Sequence, residues 1–350
     1  VTTWGRRAFA SWLLCAGALA CARSKSDVAL NGVGATFPYP LYSKWIAEYE
    51  KQHPGVRINY QSIGSGGGVR QLVAGTVDFG ATDVPVDEDE ARGAPSPILH
   101  VPTAVGSVVV SYRLEGIGAP LRLTPEVLAS IFGGEITNWN APELAQLNPG
   151  VKLPDLRISI VYRTDGSGTT AIFTHFLAQV SAAWRERVGA GKFVRWPLGI
   201  GAKGNEGVAG HLLTTPGAIG YIELSYATQS RLQRAAIRNH AGVFVVPAPS
   251  AASAAAEAVA MPEALHVSLA RAPSKDAYPL AAYTYLLVYR DARDPKKGEA
   301  LADFLWWAVH EGQSYTRDLD FAPLPKDVVT KVEATLRTLR VKGKLVLAER

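Results

Sequence analysis

The sequence predicts an α/β protein, and three observations carry that prediction. Beyond residue 20, segments with period-two alternation and segments with helical spacing follow one another along the chain. The candidate strands are short and rich in branched or aromatic residues. Glycine-containing turns also join a strand end to a helix start three times, the order expected where helices connect mostly parallel strands.

The strand candidates come in order. Val56, Ile58 and Tyr60 alternate with polar partners, residues 105–111 form a buried run, Ile158, Ile160 and Tyr162 alternate again, and 284–289 is a further apolar strand. Helical spacing predicts helices over 38–51, 68–75, 125–132, 170–180 and 299–311. The alanine-rich stretch 251–260 reads as a helix or as a loosely held surface segment. Proline and glycine at 93–97, 116–120 and 148–154 mark loops. There is no repeat of fixed period, and composition alone shows no domain boundary.

With 350 residues, 47% hydrophobic and 19% charged, the chain has enough apolar material for one large domain or two lobes. The first residues differ in kind. Arg6 and Arg7 precede an uncharged run over residues 8–20, too short at thirteen residues to span a bilayer of roughly 30 Å. Residues 1–20 therefore read as an export signal that takes no part in folding. Two cleavage readings stand: Ala18, Leu19 and Ala20 suit ordinary signal peptidase, while Cys21 suits lipid attachment, with the polar stretch 23–27 behind it. The arginine pair with Phe9 also resembles a twin-arginine signal.

Both cysteines, Cys15 and Cys21, belong to this leader region, so the body of the protein has neither disulfide nor thiol chemistry. The net charge of +5 falls to +3 without Arg6 and Arg7. That excess assists anion capture but does not argue for nucleic acid, and no basic run with interleaved aromatics supports it either.

Three helix starts present themselves as places to hold an oxyanion. The first is 32–38, where glycines allow a tight turn and Pro38 and Pro40 suit the first turn of a helix carrying Leu41, Trp45 and Tyr49. A helix start offers unpaired N–H donors and a partial positive charge, so an anion binds there without a full cation. The bland alternative is a glycine turn capped by Thr36. The second start is 63–68, after the strand at Val56; it matches neither a nucleotide P-loop nor the dinucleotide fingerprint, and a flexible turn is its alternative.

The third start, 163–170, adds a guanidinium. Arg163 supplies donors in a planar fork suited to phosphate, and Asp165 is placed to hold that fork; a local salt bridge is the plain alternative. Asp83, in 77–85, is either a loop acid or a carboxylate that accepts a hydrogen bond from an anion still carrying a proton. Phosphate carries one near neutrality and sulfate does not. A buried acceptor left unpaired rejects the wrong partner by ~10⁴-fold or more.

Taken together, stretches 32–38, 60–68, 76–85, 136–139, 147–154, 163–170, 196–207, 216–221 and 318–325 resemble the phosphate-binding proteins of the phosphate-specific ABC transporter. The resemblance implies a two-lobe periplasmic binding protein fold of type II, each lobe a mixed sheet flanked by helices with the ligand in the cleft. Residues 21–104 with 278–350 would form one lobe and 105–277 the other, with crossings near 101–111 and 278–286.

The resemblance also implies the ligand set: Thr36 and Phe37 at the first start, Ser65 at the second, then Asp83, Arg163, Ser167, Gly168 and Thr169. In it Phe37 and Gly168 donate backbone N–H groups, Asp83 accepts the phosphate proton, and Asp165 orients Arg163 from behind. Two departures are visible: Gly66 stands where some relatives carry serine, and 228–275 leaves the pattern. The implied partners are inorganic phosphate and the permease and ATPase subunits of a transporter, with a possible lipid anchor and no cofactor.

An enzyme acting on phosphoryl groups is the rival class. It needs a metal cluster, an activated nucleophile or a positioned base. The seven histidines show no ligand spacing, His175 reads as a surface or packing residue, and the segment around Ser167 lacks the second glycine of a nucleophile elbow. A receptor for another tetrahedral anion such as sulfate is the nearer rival, and Asp83 is the residue that separates the two.

Overall fold

The structure, a computed structural model, describes residues 28–347; the leader 1–20 and Cys21 lie outside the described residues. The chain runs through β1 (Val28–Gly34), α1 (Tyr39–Gln52), β2 (Val56–Ser62), α2 (Ser65–Val73), β3 (Phe79–Thr82) and the long β4 (Ile98–Tyr112). Then follow β5 (Arg122–Leu123), α3 (Pro125–Gly133), α4 (Pro142–Leu147), β6 (Ser159–Arg163), α5 (Gly168–Val180), α6 (Ala182–Arg187), β7 (Ile200–Ala202), α7 (Gly204–Thr214), β8 (Ala218–Glu223) and α8 (Leu224–Gln229). Last come β9 (Gln233–Arg234), β10 (Ala236–Arg238), β11 (Phe244–Val245), α9 (Pro249–Glu257), β12 (Ala281–Tyr289), α10 (Pro295–Val309) and α11 (Lys326–Leu336).

One mixed sheet runs in the order β2-β1-β3-β12-β4-β8-β6-β7, with β9 on β4. It has two parallel wings, β2-β1-β3 and β8-β6-β7, joined through β12 and β4. The joining strands run antiparallel to each other and to the wings. The expected parallel strands therefore hold for the wings but not for the centre. A strand buried on both faces, as β4 and β12 are, reads as one apolar run whichever way its neighbours point. The N-terminal portion of β4 pairs with β12 and its end, from Val108, with β8.

Each wing is fixed by its own aromatic cluster. On one side Tyr49 packs edge-on against Phe304 and Trp307, seating α1 on α10, and Trp45 donates its indole N–H to the Gly312 carbonyl at 2.6 Å. On the other, Phe173 stacks on Tyr221 at 4.6 Å, with Phe132 and Trp196 beside them. Each fully buried side chain of this size contributes roughly 1.5–3 kcal/mol. The 251–260 stretch is largely helix: α9 buries Ala251, Ala252, Ala255 and Ala256 and packs on β4 and β12. Among the described residues no helix is long and apolar enough to cross a membrane.

Helix starts are where sequence spacing falls short. Helix α2 begins at Ser65 rather than 68, because Gly66, Gly67 and Gly68 let its first turn lie flat on its surroundings, which offsets their poor helix propensity. A Cβ on Gly68 would come within 2.6 Å of the Gly34 Cα and 2.9 Å of the Ala81 carbonyl. Helix α10 likewise starts at Pro295 rather than 299, capped by Asp294, whose side chain accepts from Lys297 N.

Candidate anion-binding site

Register places the site. β1, β2 and β3 are parallel, with Gly34 level with Ser62 and with Ala81, so the residues that follow these strands emerge side by side. Those residues are Thr36 with Phe37, Ser65, and Asp83. In the other wing β6 and β7 end level, Arg163 opposite Ala202, and α5 and α7 start just beyond. Open α/β sheets bind ligands outside the carboxyl ends of their strands, and here two sets of such ends face each other.

The structure brings all eight predicted contact residues to this place, most of them fully buried: Thr36, Phe37, Ser65, Asp83, Arg163, Ser167, Gly168 and Thr169. The Thr36 hydroxyl does not cap α1; it accepts from Asn205 Nδ2 at 2.6 Å, so the glycine-turn-with-cap alternative fails. Neither α1 nor α2 has a side-chain cap at its start. Among the described residues the N–H groups of Phe37 and Thr169 find no protein acceptor. At α5 the Ser167 Oγ accepts from Thr170 N at 3.0 Å, leaving the hydroxyl proton free to be donated.

Arg163 is held as a fork. Its Nε donates to Asp165 Oδ1 at 2.7 Å and an Nη to Oδ2 at 2.5 Å, while Nη1 approaches Thr169 Oγ1 at 3.4 Å. The Asp165 carboxylate also accepts from Gly204 N, the first N–H of α7, at 3.0 Å. Burial alone would raise the Asp165 pKa, but the hydrogen bonds and charge of Arg163, with the Gly204 N–H, hold it below the usual value. Gly64, which precedes α2 at φ +90°, has to be glycine twice over, because a Cβ there would collide with the Asp165 carboxylate.

Asp83 faces Arg163 from the other wing. Oδ1 accepts from the Thr284 hydroxyl at 2.9 Å, and Oδ2 from Ser65 Oγ at 3.3 Å. Burial pushes its pKa up to about 7, against the opposing pull of the Thr284 hydroxyl, the Arg163 charge, Ser65 and Lys192. The Gly168 N–H, expected to be open, donates to Ser65 Oγ at 3.2 Å. At Ser65 the two wings thus meet through long, weak bonds, and a Cβ on Gly168 would overlap Asp83 and lie 2.6 Å from Ser65 Oγ.

Three contributors escaped the sequence. Asn205, in the first turn of α7, donates to Thr36 and, at 3.4 Å, to Thr169 Oγ1, joining the wings. Its signal was a fourth strand, glycine, helix-start succession at 200–205. Tyr226 donates its hydroxyl to the Thr36 carbonyl at 2.7 Å, and nothing in its surroundings marked it. Thr284 was visible only as a hydroxyl inside an apolar strand.

Two backbone-lined helix starts, a third with a buried guanidinium, and a carboxylate opposite thus converge on one place, a donor-rich arrangement suited to an anion. Comparison with known proteins shows the family. The model of the PBP superfamily domain matches residues 21–311. The phosphate-binding protein PstS of Pasteurella multocida is 43% identical over 88% of this chain and 90% of its own. The chain belongs to this family. Among other PstS proteins, that of Methanocaldococcus jannaschii is 39% identical over 87% of this chain and 84% of its own.

Solved structures share the fold of the family. A phosphate ABC transporter substrate-binding protein with bound phosphate from Clostridium perfringens superposes with TM-score 0.63 at 18% identity, covering 85% of this chain and 100% of that one. The high-affinity periplasmic phosphate-binding protein PfluDING, bound with phosphate, gives TM-score 0.69 at 22% identity over 88% and 93%.

Proposed function

We propose that this chain captures one inorganic phosphate ion outside the cytoplasmic membrane and delivers it to an ABC-type permease, catalysing nothing itself. The observation that carries the reading is the pairing of Asp83, a buried carboxylate with a pKa near neutrality, with the buried Arg163 fork on the opposite wing. The family relatives, named as phosphate-binding proteins, support it.

In this reading Arg163 and the N–H groups of Phe37, Gly168 and Thr169 bind phosphate oxygens, joined by the hydroxyls of Thr36, Ser65, Ser167 and Thr169. Ser65 and Gly168 exchange their long mutual bond for bonds to the ion. Asp83 shares the phosphate proton, while Asp165 keeps Arg163 in its plane. Wings β2-β1-β3 and β8-β6-β7 then belong to two lobes, residues 21–104 with 278–350 and residues 105–277, hinged at β4 and β12. Phosphate favours the closed form because only there do both sets of donors reach it. The leader directs export, with Cys21 as the candidate lipid attachment point.

The test is calorimetric titration of the chain lacking residues 1–21, stripped of bound phosphate, with phosphate and sulfate at neutral pH. Tight one-to-one phosphate binding with far weaker sulfate binding is expected. Sulfate binding of similar strength would make this a general oxyanion receptor, and binding of neither would return phosphoester hydrolysis as the activity to assay.

A further inference from the structure

Beside the anion site a cleft of about 1160 Å³ opens between the wings, lined by α2, α5 and loops from both, with Asp83 among its lining residues. Two charged residues of this lining meet across it. Lys192, in the loop between α6 and β7, donates to both carboxylate oxygens of Glu90 at 2.5 and 2.7 Å. Glu90 lies in the turn after Asp83, where its N–H is held by Asp87 Oδ1 at 2.8 Å. The pair is sheltered, with the Lys192 side chain only 12% exposed and that of Glu90 35%.

Both partners are tied to residues of the site. The Lys192 carbonyl accepts from Ser167 N at 3.0 Å, so the backbone under the ammonium sets the cap of α5. Next to it Gly191 bonds Thr174 Oγ1 at 3.1 Å, fixing the loop to the same helix. The Glu90 turn continues directly from the segment bearing Asp83. The ion pair therefore connects the segment that follows Asp83, on one wing, to the α6–β7 loop that holds Ser167 N, on the other.

We propose that Lys192 and Glu90 form a latch on the closed receptor, positioning residues that set how long a captured phosphate is retained. The inference rests on the phosphate-binding reading above. A bond made only after closure stabilises the closed state and leaves the open encounter unchanged, so it acts on the dissociation rate rather than the association rate. An exposed pair would contribute little, but this one is sheltered and bidentate, and its loss is expected to speed release roughly fivefold.

Glu90 supplies the discriminating experiment, because simple electrostatics and the latch predict opposite signs. Removing a negative charge near a bound anion should tighten binding, whereas removing half of a latch should loosen it. Phosphate release is measured by stopped flow, using intrinsic tryptophan fluorescence and an excess of a second phosphate scavenger, for wild type, Glu90→Gln, Lys192→Met, the double variant and the swap Glu90→Lys/Lys192→Glu.

The latch predicts faster release in both single variants, a double variant no worse than either, association rates within about twofold of wild type, and recovery in the swap. Slower release in Glu90→Gln, additive effects in the double variant, or release rates unchanged throughout would overturn it while leaving phosphate capture intact. A wild-type protein that binds no phosphate would overturn the function and the latch together. Circular dichroism of each variant separates loss of the latch from loss of fold.

Discussion

Asp83 and Asp165 are both largely buried and stand on opposite wings of one site, yet their surroundings push them in opposite directions. Asp165 is met by a guanidinium at both oxygens and by a helix N–H that shares Oδ1, and its pKa falls. Asp83 is met by two hydroxyls, with its cations further off, and its pKa rises to about 7. A carboxylate that orients a cation has to stay charged; one that reads a substrate proton gains from sitting near the point of titration. The difference is made by the neighbours and not by the residue type.

Breaking the Asp165 side should have the largest effect. Arg163→Ala removes the charge-assisted donors and also strands Asp165 as an unpaired carboxylate facing an anion. We expect phosphate affinity to fall by on the order of 10²–10³-fold in calorimetry. The double variant Arg163→Ala/Asp165→Asn should recover part of that loss, since the repulsion goes with the charge. A fall of less than about tenfold in Arg163→Ala would mean that the helix starts suffice.

The Asp83 side is broken by Asp83→Asn, where we expect phosphate to weaken by roughly tenfold and sulfate to become a measurable competitor. In wild type, sulfate competition should appear as pH falls through about 7, when Asp83 itself brings the proton, and the variant should lose that dependence. Stability gives a second reading. The folded pKa lies above the unfolded one, so the contribution of Asp83 is fully present below the ordinary carboxylate range and is lost as pH rises through about 7. The ligand-free variant should therefore gain in Tm relative to wild type between pH 4 and pH 8, by the equivalent of roughly 2–4 kcal/mol. A Tm difference that is flat with pH would show that Asp83 titrates normally.

Why the sequence carried one side of this comparison better than the other is a matter of range. The Arg163 fork, its Asp165 partner and the helix start behind them lie within eight residues, so spacing and side-chain chemistry expose them together. Ser65 and Gly168 are similarly legible as glycine-flanked starts. The environment of Asp83 is assembled from far along the chain: Thr284 is 201 residues away, and Asn205, which ties Thr36 to Thr169, is 169 residues from Thr36. No local pattern encodes such pairings. In the wings β2 and β6 were readable because amphipathic period survives in them, whereas β3 and β8, buried along their whole length, were not read as strands, and β4 and β12, buried on both faces, gave no sign of their antiparallel direction.

The smallest effect sharpens the comparison most, because Thr284→Val removes one hydroxyl and changes nearly no volume. Thr284 Oγ1 donates to Asp83 Oδ1 at 2.9 Å and helps to hold its pKa down against burial. Without it the carboxyl should titrate at higher pH, and the onset of sulfate competition should move up with it, while phosphate affinity at neutral pH falls by about tenfold or less. Competition calorimetry from pH 5 to pH 9 checks both. If the onset stays where it is in wild type, the proton on Asp83 does not decide which anion enters, and selectivity must come from the size and donor geometry of the three helix starts instead.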